Sequence, residues 1–115
     1  MVDESIIKSV ENYLSAINKQ GIKVSFGVIF GSQAKGNATE WSDIDLLVVS
    51  PDFDLRRERS QINRLWRIAG RTDSRIEPIP CGEKQWQEDD SSAIIEIARR
   101  EGERVNLTDS NIQSL

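Results

Sequence analysis

The chain has 115 residues, 37% hydrophobic and 30% charged, with a net charge of −4, one cysteine and no histidine. That is enough for one domain with one core, and the balance is that of a folded, soluble chain. It excludes a Ser-His-Asp triad, a Cys-His pair and a histidine-based zinc site, which leaves chemistry to carboxylates, lysines, hydroxyls and a bound metal.

The negative balance also lacks the overall basic footprint of a nucleic-acid binder, so nucleic acid is not an expected partner. No apolar run approaches the roughly 20 residues needed to cross a bilayer, so no membrane span is expected. The opening MVDESIIKSV carries acids where a secretory leader is basic. Lone Cys81 cannot form an internal disulfide and fits a reducing compartment. The expected location is cytoplasmic, where the sequons at Asn37 and Asn106 carry no meaning.

Taken in order, residues 3–19 place Ile6, Val10, Tyr13, Leu14 and Ile17 at helical spacing behind a capping Asp3, with Gly21 as terminator. Residues 22–30, IKVSFGVIF, are β-branched and aromatic and predict a strand. Gly31–Ser42 reads as a loop with one helical turn after Ser32. Residues 44–50, IDLLVVS, predict a second strand, stopped by Pro51. Residues 55–69 predict a helix whose apolar face holds Leu55, Ile62, Leu65, Trp66 and Ala69. Residues 74–80, SRIEPIP, predict a short strand whose prolines suit a sheet edge. Residues 91–101 predict a helix capped by Asp90 or Ser91 and ended by Gly102, and 104–107 a tail strand. Without repeat, linker or low-complexity segment, the expectation is a single α/β domain over residues 1–115.

The stretch 31-GSQAKGNATEWSDIDLLVV-49 carries the chemistry. Side chains alternate along a strand, so Asp43 and Asp45 project the same way and Ile44 the other. Two carboxylates roughly 5–7 Å apart repel by roughly 2–3 kcal/mol at an effective dielectric near 20. Such a pair makes sense as a partial cage for Mg²⁺, which takes oxygen ligands and leaves room for water and phosphate. A third carboxylate from a neighbouring strand would complete a two-metal site for in-line phosphoryl or nucleotidyl transfer. At the other end, Gly31 lets a phosphate approach the backbone, Ser32 adds a hydroxyl donor, Lys35 offers a neutralising charge and Gly36 suits a turn with positive φ. Gly-Ser after a strand is commonplace, and Asp-x-Asp before one is more often a turn or cap. The two together, at this separation, are far more specific.

Gly31-Ser32, ten intervening residues and Asp43-Ile44-Asp45 resemble the signature of the nucleotidyltransferases of the DNA polymerase beta superfamily. The local sequence is similar to the short bacterial and archaeal minimal nucleotidyltransferases, the MNT proteins. The resemblance implies an α/β (α+β) fold, a small mixed sheet flanked by helices. It implies that Gly31 and Ser32 contact the nucleoside triphosphate, with Lys35 where many of these proteins carry arginine. It implies that Asp43 and Asp45 hold divalent metal, two Mg²⁺ ions with ATP as substrate. The family's third acid corresponds to Glu77 in 75-RIEPIP-80, where aspartate is commoner; Asp73 is the alternative. Its family role is to bind metal and help deprotonate the attacking hydroxyl.

Larger members add a second domain, whereas only 38 residues follow Glu77 here, so the acceptor surface is expected from another chain in a homo- or hetero-oligomer. The resemblance points to a HEPN-type helical toxin, with the MNT chain as antitoxin transferring AMP to a toxin tyrosine. The alternatives are an antitoxin acting by binding alone and a small-molecule transferase similar to the aminoglycoside-modifying enzymes.

Residues 56–75 hold seven arginines. Helical spacing sets Arg57, Arg64, Arg67 and Arg71 opposite the apolar face, a basic stripe that reads as a solvated surface, a dock for an acidic partner or, behind that, an RNA contact, with no aromatic interleaved for base stacking. Trp66 reads as core. Trp41 reads as nucleotide pocket or loop packing, Trp86 as an interface anchor and Cys81 as buried. Ile94, Ile95, Ile97 and Ala98 span more than one narrow face, which predicts that some are exposed.

Overall fold

The computed structural model describes residues 2–55 and 58–107. Its elements are α1 (Glu4–Lys19), β1 (Phe26–Phe30), α2 (Ser32–Lys35), β2 (Ile44–Val49), α3 (Asp52–Leu55), α4 (Arg59–Thr72), β3 (Ile76–Cys81), α5 (Glu83–Glu88), α6 (Ala93–Glu101) and β4 (Glu103–Val105). The four strands form one mixed sheet in the order β3-β2-β1-β4. β1 runs antiparallel to β2 and β4, and β2 runs parallel to β3. The α+β class expected from the sequence is the one observed.

Strand alternation sorts the side chains into two cores. Ile29, Ile44, Leu46, Val48 and Ile76 pack with α1, α3 and α4 through Val10, Tyr13, Leu14, Phe53, Leu65 and Ile68. Phe26, Val28, Phe30, Leu47, Val49 and Cys81 pack on the other face against Ile95 and Ala98 of α6 and Trp86 of α5. Tyr13 ties the helices of the first layer, its hydroxyl donating to the Leu65 carbonyl at 2.9 Å. Burial raises this phenol well above its usual range, so it stays a neutral donor.

The prolines of β3 are accommodated because the strand lies at an edge. Residues of odd number bond towards β2, as the Cys81 carbonyl does with the Ser50 N–H at 2.9 Å. The missing N–H groups of Pro78 and Pro80 then fall on the outer side, where no ladder bond is lost.

Several boundaries differ from expectation. β1 begins at Phe26 rather than residue 22. The single helix expected over 55–69 is two helices, and Leu55 ends α3 with 83% of its surface exposed. Ile68 takes the core place expected of Trp66, which is 48% exposed. Trp66 therefore shares the exposed surface of α4 with Arg67 and Arg71. Arg64 is only partly exposed and donates to the Gln20 carbonyl at 3.1 Å, while Arg56 and Arg57 lie outside the described residues. Ser92, one residue later than expected, caps α6 by accepting from the Ile95 N–H. Residues 83–88 of the acidic run form α5, and Trp86 packs edge-on against Phe26 at 5.7 Å within the fold rather than standing free as an anchor. Cys81 is buried, and Ile94 and Ile97 are exposed, as expected.

Candidate active site

The end of β1, the start of β2 and the start of β3 meet at one edge of the sheet. Asp45 is the register partner of Phe30 on β1 and of Glu77 on β3. Alternation with Leu47 and Val49 puts Asp45 on the α6 side, and Glu77 joins it there with Ile79 and Cys81. Asp43 precedes the strand and brings its carboxyl to that of Glu77.

Crowding of like charge shows in the protonation of these groups. The Glu77 carboxyl is raised above its ordinary value by a hydrogen bond to Asp43, then by burial and by the charges of Asp43 and Asp45. Asp45 is raised by burial first and by Asp43 second. Among the described residues, no three acidic, cysteine or histidine side chains already stand as a closed metal cage. The donors themselves suit a hard divalent cation: all are carboxylate oxygens, and a cation among them would offset their mutual repulsion.

Gly31 adjoins this cluster. It has φ 77° and ψ −148°, a conformation open to glycine, and it leads directly into α2. Ser32 is the first residue of α2, and Gly36 closes that turn in the left-handed region at φ 77°. Lys35 ends α2 with its ammonium 3.9 Å from Glu101 of α6, an exposed pair. Asp73, the alternative third acid, is engaged elsewhere. Its carboxylate accepts from Arg75 Nε at 3.0 Å and Nη2 at 2.7 Å, which holds its pKa down at about 2. The structure thus brings Glu77, not Asp73, to Asp43 and Asp45.

Two contributors were not anticipated. Gln33 is buried on α2, and its amide reaches the carbonyls of Ser42 and Asp43 at 3.4 Å each. Arg75 donates to the Glu40 carbonyl at 3.4 Å, fastening the loop before the acids to the head of β3. A four-residue helix has too little periodicity to reveal a buried glutamine, and Arg75 reads in the sequence as the end of the basic segment. Trp41 is neither packed against the loop nor enclosed; 83% of its surface is exposed.

A mixed sheet with a Gly-Ser corner facing paired acids across adjacent strands is the architecture of a nucleotidyl-transfer fold. The chain belongs to the nucleotidyltransferase domain family, whose profile matches residues 7–101. Its fold is similar to a crystal structure from Sulfolobus solfataricus assigned as a nucleotidyltransferase, with a TM-score of 0.59 and 15% identity over 85% of this chain and 77% of that one. It is also similar to a chain in a crystal structure of a toxin–antitoxin with AMP-PNP, with a TM-score of 0.58 and 20% identity over 88% of this chain and 76% of that one. At these identities the likeness concerns the fold. Curated protein sequences give no significant match.

Proposed function

We propose that this chain is a Mg²⁺-dependent nucleotidyltransferase that moves AMP from ATP to a hydroxyl acceptor, a tyrosine of a HEPN-type toxin, and so acts as its antitoxin in the cytoplasm. The observation that carries the reading is the placement of Asp43, Asp45 and Glu77 on one sheet face beside Gly31. The partner rests on the MNT-like stretch 31–49 and on the fold shared with a chain of a toxin–antitoxin complex.

In this reading Gly31 and Ser32 receive the triphosphate, with Lys35 adding positive charge after leaving Glu101. Asp43, Asp45 and Glu77 hold two Mg²⁺ ions, which when bound neutralise phosphate charge and align the reactants. The acceptor oxygen forms a bond to the α-phosphorus, the bond from that phosphorus to the bridging oxygen breaks, and pyrophosphate leaves with the electron pair. Glu77, on the edge strand, takes the acceptor proton. Positioning and electrostatics supply most of the acceleration in such transfers.

The test is transfer of label from α-³²P-ATP with Mg²⁺ to the toxin partner, with Asp43→Asn and Asp45→Asn alongside. Label that appears with the unaltered chain and vanishes in both variants supports the reading. Tight partner binding without label would leave an antitoxin that works by binding alone.

A further inference from the structure

Of the three acids, Asp45 and Glu77 stand in the sheet ladder, while Asp43 lies one residue ahead of β2. The pairing of β1 with β2 ends at Phe30 and Asp45, and two more residues of the same register would set Ser32 opposite Asp43. The chain instead turns away at Gly31 into α2, so the ladder stops short of Asp43.

The side chain of Gln33 takes that place. It is 6% exposed, and its Nε2 donates to the carbonyls of Ser42 and Asp43 at 3.4 Å each. An amide nitrogen carries two hydrogens, one for each acceptor, whereas the reversed amide would set its oxygen against two carbonyl oxygens. Burying an amide is costly unless such bonds are made. Two successive carbonyls held from one point fix the peptide planes on both sides of the Asp43 Cα. The plane between Asp43 and Ile44 is held at its other end too, where the Ile44 N–H donates to the Arg75 carbonyl at 2.8 Å. Those planes set the direction in which the Asp43 carboxylate leaves the backbone.

The turn that carries Trp41 is closed by bonds of its own. The Thr39 N–H donates to Ser42 Oγ at 2.9 Å, the Ser42 N–H to the Thr39 carbonyl at 3.0 Å, and the Trp41 N–H to Thr39 Oγ1 at 3.2 Å. These bonds lie upstream of Asp43. On the other side, Gly31 abuts the Asp45 carboxylate. α2 and the glycine that leads into it thus meet both acids of the pair.

We propose that Gln33 is a positioning residue of this site: its amide sets the Asp43 carboxylate against Asp45 and Glu77, at a fixed place relative to the Gly31-Ser32 corner. This rests on the transferase reading above and adds the group that aligns its metal seat with its phosphate seat.

The test uses Gln33→Met, which keeps the length of the side chain and removes both donors, with Gln33→Leu in its stead should that variant fail to melt cooperatively. Thr39→Ala is the comparison, since it loosens the turn and leaves the bonds to Asp43 in place. In the free protein the backbone order parameter of Asp43 is expected to fall from about 0.85 to below about 0.6 in Gln33→Met and to hold in Thr39→Ala. Asp45, within the ladder, should stay rigid in both. Mn²⁺ binding to the nucleotide-free chain, followed by electron paramagnetic resonance, is expected to weaken about tenfold in Gln33→Met and less than about twofold in Thr39→Ala. In transfer assays Gln33→Met is expected to lower kcat at least about tenfold with the KM for ATP within about threefold. An Asp43 that stays rigid in Gln33→Met overturns the proposal, as does equal weakening of Mn²⁺ binding in the two variants. Failure of the unaltered chain to take up Mn²⁺ strikes the transferase reading instead, and the order parameter still decides whether Gln33 sets Asp43.

Discussion

The carboxylate of Asp45 fills the space that a side chain at position 31 would need. A Cβ built on Gly31 would overlap Asp45 Oδ2 well inside van der Waals contact. The glycine also sits at φ 77°, which L-residues rarely adopt. The close approach proposed to seat a phosphate and the placement of an acid proposed to hold metal are therefore one structural requirement. Gly31→Ala is expected to destabilise the fold by about 1–3 kcal/mol. It should also abolish Mg²⁺-dependent binding of ATP, because Asp45 must move aside. Chemical denaturation and calorimetry check the two effects separately.

Gly70 gives the opposite result from the same substitution. It lies inside α4, and a methyl group on its Cα would have nothing within 4 Å. Alanine there restricts the unfolded chain and strengthens the helix without a clash. Gly70→Ala is expected to stabilise by about 0.5–1 kcal/mol. Thermal unfolding should show a rise in the midpoint with unchanged catalysis.

The elements most legible in the sequence were those whose apolar spacing is self-sufficient. α1 spans the predicted residues because Ile6, Val10, Tyr13, Leu14 and Ile17 all meet the core and Asp3 caps it locally. The acid pair was legible because strand alternation fixes which way Asp43 and Asp45 project. α5 was not, because its support is distant: Asp54, 30 residues earlier, accepts from the Lys84 N–H at its first turn, and Trp86 seats on Phe26. Trp66 misled because a hydrophobic residue at near-core spacing on α4 was displaced by the better placed Ile68. The Trp41 turn was hidden for the same reason as α5, since its braces come from Gln33 and Arg75 on other elements.

The Asp73–Arg75 pair makes acid stability sensitive to one carboxylate. Its folded pKa of about 2 lies below the ordinary value of 3.8. A depressed acid contributes its stability above the unfolded pKa and loses it as pH falls towards the folded one. The window is therefore roughly pH 4 down to 2, and after screening at this partly exposed site the loss is about 1 kcal/mol. Asp73→Asn is expected to lower the melting temperature at pH 7 and to flatten its fall below pH 4. Melting curves of the two proteins between pH 2 and 7 decide it; parallel profiles would remove this role from the pair.

Neutralising Asp43 should uncouple stability from metal binding. Its charge adds to the hydrogen bond and burial that raise Glu77 and to the burial that raises Asp45, so without metal a third negative charge here is unfavourable. With most of this charge near solvent, relief of the repulsion is worth about 1 kcal/mol. Asp43→Asn is thus expected to raise the melting temperature of the metal-free protein by about 4 °C. The unaltered chain should gain further stability as Mg²⁺ is added, because a ligand that binds only the folded state shifts the equilibrium towards it. The variant should gain little or none. A variant that melts lower without metal, yet is stabilised by Mg²⁺ as much as the unaltered chain, would show that Asp43 neither strains the fold nor holds the ion.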